Sequence, residues 1–280
     1  MFFLFLLWSP ICVIYNLERE GEPVVVPYIG ITDFTKKEEV WNMVNVFNNN
    51  FHSRFKRRLH VGVMMSYKTL NGIPTKWSNA FPPNHVVADI FVSPREVYNC
   101  LHYADYDRSV GFANDLTRAI KLGGFLLDAV QLDMVWPDPR EIGEALTESL
   151  IPIEVILQVG KNAMEEVDND PEAVVKKLES YEGVFHRVLL DKSMGKGLGM
   201  DANALLPYAR LIKQHFPKIG IGVAGGLGPN TMELVRPIVE EFPEVSIDAQ
   251  GRLRPSGNAL DPIDWDMAKV YLEKAIKMFS

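Results

Sequence analysis

From Pro23 onward the chain alternates short apolar runs with longer amphipathic stretches, and this alternation constrains the fold more than any other feature. Apolar runs of strand length fall at Val24–Ile31, His60–Ser66, Val97–Ala104, Leu127–Leu132, Ile153–Val159, Val184–Leu190, Ile219–Ala224 and Val245–Asp248. Helical patterns lie between them, at Val110–Lys121, Pro139–Ser149, Pro171–Tyr181, Ala202–His215, Asn230–Glu241 and Asp264–Met278. Pro171 suits the first turn of a helix, where its missing N–H costs nothing. Thr35 and Glu38 read as a capping box that opens a helix running to about Arg58. Strands that alternate with helices build parallel sheets. One strand–helix cycle per roughly 30 residues fills the chain and leaves nothing for a second domain. The pattern predicts a single (β/α)8 barrel (a TIM barrel) over residues 23–280, with a doubly wound open sheet as the competing architecture.

Residues 67–96 depart from the pattern. They form a long β2–α2 loop rich in Pro, Asn and Gly, in which only His85–Phe91 looks helical. Such a loop is either a lid or a disordered insertion, and Tyr67, Trp77 and Phe81 give it the apolar anchors of a lid.

The first fifteen residues, Met1–Tyr15, are almost entirely apolar, and residues 1–22 read as an extension outside the barrel. The run is short for a membrane span and lacks the basic start of a signal peptide. Three readings stay open: a membrane-targeting segment, an upstream extension misread as coding, and a strand or plug packed on the domain. The two cysteines, Cys12 and Cys100, exclude a disulfide framework and fit a reducing, cytoplasmic setting. A net charge of −7 gives no general pull toward a phosphate backbone, so no nucleic-acid partner is expected. The sequence leaves the oligomeric state open.

In such a barrel the site is built where strands end. Asp191 closes an apolar strand and opens the glycine-rich loop that holds Gly195, Gly197 and Gly199. Partial desolvation there would raise its pKa into the range of a general acid, and the alternative is a loop-bracing aspartate. Gly225 and Gly226 precede the helical pattern at Asn230, which suits a phosphate held by backbone amides and a helix dipole; a tight turn is the alternative. The eighth loop adds Gln250, Gly251 and Arg252, and the fourth strand adds Gln131 and Asp133. The partner these residues suggest is a phosphorylated small molecule.

Other polar residues read as structural. Arg54, Lys56, Arg57 and Arg58 fit a solvated helix end. His102 fits a strand-end histidine, and Lys161 and Lys192 fit surface lysines. His52, His60, His85, His186 and His215 show no metal-ligand spacing, so neither a metal nor another cofactor is expected.

The order of strand-end motifs resembles the phosphoribosylanthranilate isomerase family. Tyr28–Asp33 (YIGITD), Asp128–Asp133 (DAVQLD), Leu189–Asp191 with its glycine loop, Ala224–Leu227 (AGGL) and Ser246–Asp248 with Gly251 carry the likeness, which spans about residues 24–275. The resemblance implies isomerase chemistry of tryptophan biosynthesis, in which Asp191 protonates a ribose ring oxygen. The family's base is a cysteine, and Ile29 stands at the matching position. Asp133 replaces a family histidine, and the eighth-strand serines align with Ala249 and Gln250. Asp133 or Asp33 is the nearest substitute base. A non-catalytic phosphosugar-binding barrel is the alternative.

Overall fold

The computed structural model describes residues 25–50, 57–107, 110–192 and 199–280. The extension 1–22, His52, Arg54, Lys56, Gly195 and Gly197 lie outside these residues. Eight parallel strands close into a barrel in chain order. They are β1 (Tyr28–Thr32), β2 (Arg58–Ser66), β3 (Val97–Asp105), β4 (Ala129–Met134), β5 (Glu154–Gly160), β6 (Arg187–Asp191), β7 (Gly220–Ala224) and β8 (Ser246–Ala249). β1 and β8 close the ring through the register Ile29↔Ile247, Gly30↔Asp248 and Ile31↔Ala249. The chain is therefore a single (β/α)8 barrel, and the open sheet is excluded.

The main outer helices are α1 (Lys37–Asn50), α4 (Phe112–Gly123), α5 (Pro139–Thr147), α7 (Pro171–Glu179), α8 (Ala202–His215), α9 (Arg236–Glu241) and α10 (Trp265–Phe279). Short helices α2 (Tyr67–Leu70) and α3 (Val87–Ile90) lie in the β2–β3 connection, and α6 (Lys161–Glu165) follows β5. Asp138, Asp170, Asp201 and Asp264 begin α5, α7, α8 and α10 by accepting backbone N–H groups of the first turn. Among the described residues no helix is long and apolar enough to cross a membrane.

Alternating side chains divide the strands between two cores. Ile29, Ile31, Val61, Val63, Leu101, Val130, Leu157, Val188 and Val223 face outward and pack beneath the helices in one continuous apolar layer. Tyr28, Tyr98, Cys100, Ala129, Ile156 and Leu189 face inward. The base of this interior is plugged by Arg187, whose Nε donates to Glu154 Oε2 at 3.1 Å while Tyr98 Oη donates to the same oxygen at 2.6 Å.

Three local expectations need correction. β1 begins at Tyr28 rather than Val24, because Pro27 has no N–H for a ladder. The first helix starts at Lys37, one residue later than the Thr35–Glu38 box requires; Glu39 Oε2 therefore accepts the N–H groups of Thr35 and Lys36, each at 2.9 Å. Arg57 and Arg58 are not at a solvated helix end. Arg57 is buried, donates to the carbonyls of Pro243 and Val245, and lies over the Phe279 ring. Arg58 begins β2 and reaches the Val97 carbonyl and Asp128.

Candidate functional site

A cavity of about 540 Å³ opens at the C-terminal end of the barrel. Its floor is the last inward layer of strand residues: Thr32, His102, Gln131, Gln158, Leu189 and Asp248. Its walls come from the end of β6, from the loops after β3, β7 and β8 and from the β2–β3 connection. Tyr67, Thr75, Lys76, Trp77 and Phe81 of that connection line the cavity, and Trp77 stacks on Phe81 with ring centroids 5.4 Å apart. The segment is thus a wall of the cavity, and its short helices include α2 and a three-ten turn at Lys76–Asn79 that sequence patterning misses.

Asp191, Asp133, Gln131, Gly225, Gly226, Gln250, Gly251 and Arg252 all line this one cavity. Gly199 is exposed beside Leu234 and is not among the lining residues. Of the lysines read as surface residues, Lys161 pairs with Glu165, and Lys192 lies over the Tyr208 ring 5.6 Å from its centroid. Asp33 is buried against Arg254 and accepts from Gln250 Nε2 at 3.1 Å, so it braces the β1 and β8 loops. Ile29 is fully buried in the layer under the helices and does not face the cavity.

The carboxylates dominate the electrostatics. Asp133 accepts a hydrogen bond from Tyr106 Oη at 2.5 Å. Burial, with the Asp191 charge nearby, nevertheless pushes its carboxyl up to about 6. Asp248 accepts from Thr32 Oγ1 at 2.9 and 3.1 Å. Burial, joined by the Asp33 and Asp191 charges, outweighs those bonds and pushes Asp248 up to about 7. Asp191 is itself buried at the end of β6, and its charge bears on both carboxyls and on Tyr106. Basic groups offset this acidic rim: Lys68, Lys76 and Arg252 also line the cavity, and Lys68 Nζ sits 2.7 Å from Asp107 Oδ2.

The seventh loop is shaped by glycine. Gly225 and Gly226 have φ of 118° and 65°, which side chains rarely adopt. A Cβ on Gly228 would meet the Arg252 backbone oxygen at 2.7 Å, so the seventh and eighth loops pack directly together. The expected helix dipole at this corner is absent. A three-ten turn at Met232–Val235 comes first, and α9 starts only at Arg236. Any anion here would rest on loop amides and Arg252.

Several cavity residues escape a reading of strand ends. Gln158 lies within β5, and only the two-residue alternation of inward positions would have marked it; Asp248 closes the eighth apolar run but is not among the strand-end candidates. Gln131 Nε2 donates to Gln158 Oε1 at 2.8 Å, while Gln131 Oε1 is buried without a hydrogen-bond partner. Below the floor, donor atoms of His60, Cys100 and His102 lie within 4.8 Å of one another, and all three residues are buried. Burial keeps both imidazoles neutral, with His102 pushed down to about 3.

No family model and no curated protein sequence matches the chain. Among solved structures it is similar to the tryptophan synthase alpha chain from Legionella pneumophila subsp. pneumophila, with a TM-score of 0.49 and 12% identity over 90% of each chain. It is also similar to the carboxyl transferase domain of Rhizobium etli pyruvate carboxylase, with a TM-score of 0.52 and 14% identity. That alignment covers 91% of this chain and 48% of the other. At this identity the likeness shows the barrel fold alone, a fold that enzymes with different chemistries share.

Proposed function

We propose that the cavity binds a phosphorylated sugar-type small molecule and isomerises it by acid–base catalysis, with Asp191 as general acid and Asp133 as base. One observation carries the reading: two neighbouring carboxyls and the Gly225–Gly226 corner line a single cavity. Amides of Gly225, Gly226 and Gly251, with the Arg252 guanidinium, would hold the phosphate. Gln131 Oε1, a buried acceptor without a partner, would take a sugar hydroxyl.

Burial and the Asp191 charge hold the Asp133 carboxyl above its ordinary value, at about 6, so the two carboxyls titrate as an interacting pair. The Tyr106 hydroxyl donates to Asp133 and stabilises its charged form, as a base requires. A bound phosphate would add negative charge and favour retention of a proton by the pair. Asp191 would then protonate the sugar ring oxygen, and Asp133 would take a proton from the adjacent carbon. This is the isomerisation that the resemblance to phosphoribosylanthranilate isomerase implies, with a carboxylate in place of the family's cysteine.

A second reading, a phosphosugar-binding barrel without turnover, is favoured by Ile29, which carries no base and faces away from the cavity. Thermal-shift screening of phosphorylated sugars against their unphosphorylated counterparts tests binding, and turnover of phosphoribosylanthranilate tests the reaction. Product formation that Asp191→Asn abolishes supports the isomerase. Stabilisation by phosphosugars without product supports the binder. No response to any phosphorylated ligand overturns both.

A further inference from the structure

The interior of the barrel holds a second constellation that the acid–base reading does not use. Cys100 and His102 share the inward face of β3, two residues apart. His60 comes from the neighbouring strand β2, paired in register with Tyr98. The stagger of the barrel brings the three together: His60 Nε2 and His102 Nε2 lie 3.3 Å apart, and one donor atom from each of the three residues falls within a 4.8 Å set. We propose that His60, Cys100 and His102 form a binding site for a single zinc-class divalent transition metal beneath the cavity floor.

Four features of the site support this. The first is spacing. Two nitrogens bound to one tetrahedral zinc at roughly 2.0–2.1 Å stand about 3.3–3.4 Å apart, and the two Nε2 atoms already stand 3.3 Å apart. The second is the donor set. Two imidazoles and a thiol suit zinc or a neighbouring late transition metal and do not suit magnesium or calcium, which take oxygen.

The third is an orphaned atom. His60 Nδ1 is buried and has no hydrogen-bond partner. Without an ion, the two Nε2 atoms share one hydrogen bond, and whichever ring donates, His60 Nδ1 is left unsatisfied. With an ion, both Nε2 atoms give lone pairs to the metal, and His60 carries its proton on Nδ1. The nearest carboxylate oxygen to that N–H is Asp248 Oδ1, 3.9 Å away and outside hydrogen-bond reach. A shift of either side chain by under about 1 Å would give His60 the carboxylate partner that is the usual companion of a metal-bound histidine. The fourth is access. His102 also lines the cavity floor, so water or a ligand oxygen from the cavity can complete the coordination. On binding, the Cys100 thiol loses its proton to solvent and a metal–thiolate bond forms; nothing is oxidised or reduced.

The site does not depend on the phosphosugar reading, because it is tested without any organic ligand. Full-length protein is stripped with a chelator and titrated with Co²⁺, then with Zn²⁺, and followed by absorption and native mass spectrometry. The expected result is one Co²⁺ per chain, with a thiolate-to-cobalt charge-transfer band and the intense visible bands of tetrahedral cobalt, displaced stoichiometrically by Zn²⁺. Cys100→Ala removes the charge-transfer band, and His60→Gln or His102→Gln removes the tetrahedral spectrum. Asp248→Asn weakens zinc binding roughly 10–100-fold. Should the variants fail to fold, the charge-transfer band of the unmodified protein decides. No stoichiometric metal, or a weak octahedral spectrum without a thiolate band, overturns the proposal.

Discussion

Asp133→Asn should stabilise the protein, and the gain should vanish in acid. Asp133 has its carboxyl pushed from the ordinary 3.8 up to about 6 by burial and by the Asp191 charge. A raised carboxyl pKa means that the fold tolerates the protonated form and opposes the ionised one. Below about pH 4 the folded and unfolded chains both hold the proton, and no cost arises. As pH rises toward 6 the unfolded chain releases the proton first, so stability falls; above 6 the cost is constant. The shift corresponds to roughly 3 kcal/mol, and the half-buried position at the cavity reduces this to about 1–3 kcal/mol through solvent screening. Asparagine keeps an acceptor for Tyr106 and removes the charge. In a chain of this size each kcal/mol moves Tm by roughly 2–4 °C. Thermal unfolding of both proteins from pH 4 to pH 8 is the assay. The variant should melt several degrees higher at pH 8 and level with the parent near pH 4. A variant that is less stable at pH 8, or a gap independent of pH, would refute the claim that Asp133 is a desolvated carboxyl beside a second one.

Other consequences are equally direct. If Asp133 is the base, Tyr106→Phe removes the donor that favours its ionised form, and the acid limb of the kcat/KM profile should move to higher pH. Asp191→Asn should cost roughly 10²–10⁴-fold in kcat, the usual worth of one general acid, while phosphosugar stabilisation measured by thermal shift persists. Arg254→Ala leaves Asp33 buried without its cation and should destabilise by roughly 3–5 kcal/mol in denaturant titration. Trp77→Ala removes the cavity-facing partner of the Phe81 stack and should raise KM for a cavity ligand while changing Tm little.

The barrel was legible because its signal is periodic and redundant. Eight apolar runs locate every strand to within four residues at each end. Boundaries failed where a single residue decides them, as at Pro27 and Glu39. The helix expected to run to about Arg58 is described as far as Asn50, and Arg58 belongs to β2; a cationic run such as Arg57–Arg58 reads as solvated unless its distant carbonyl and carboxylate partners are known. The site was partly legible for a related reason. Asp191, Asp133 and the glycine pair stand at strand ends, where chain order alone points to the cavity. Asp248, Gln158 and the His60–Cys100–His102 set sit deeper, and only strand register and barrel stagger bring them together. His60 and His102 are far apart in sequence, and their spacing carries no metal signature.

The central claim is that an anion nests on the amides beside Gly226, in the cavity that Asp133 and Asp191 also line. Amide chemical shifts during titration with ribose 5-phosphate test it most directly, with ribose as the control. Saturable shifts at Gly225, Gly226, Gly251 and Arg252 with the phosphorylated sugar alone are the expected result. Unmoved amides at those four positions, or equal responses to ribose, would contradict the account.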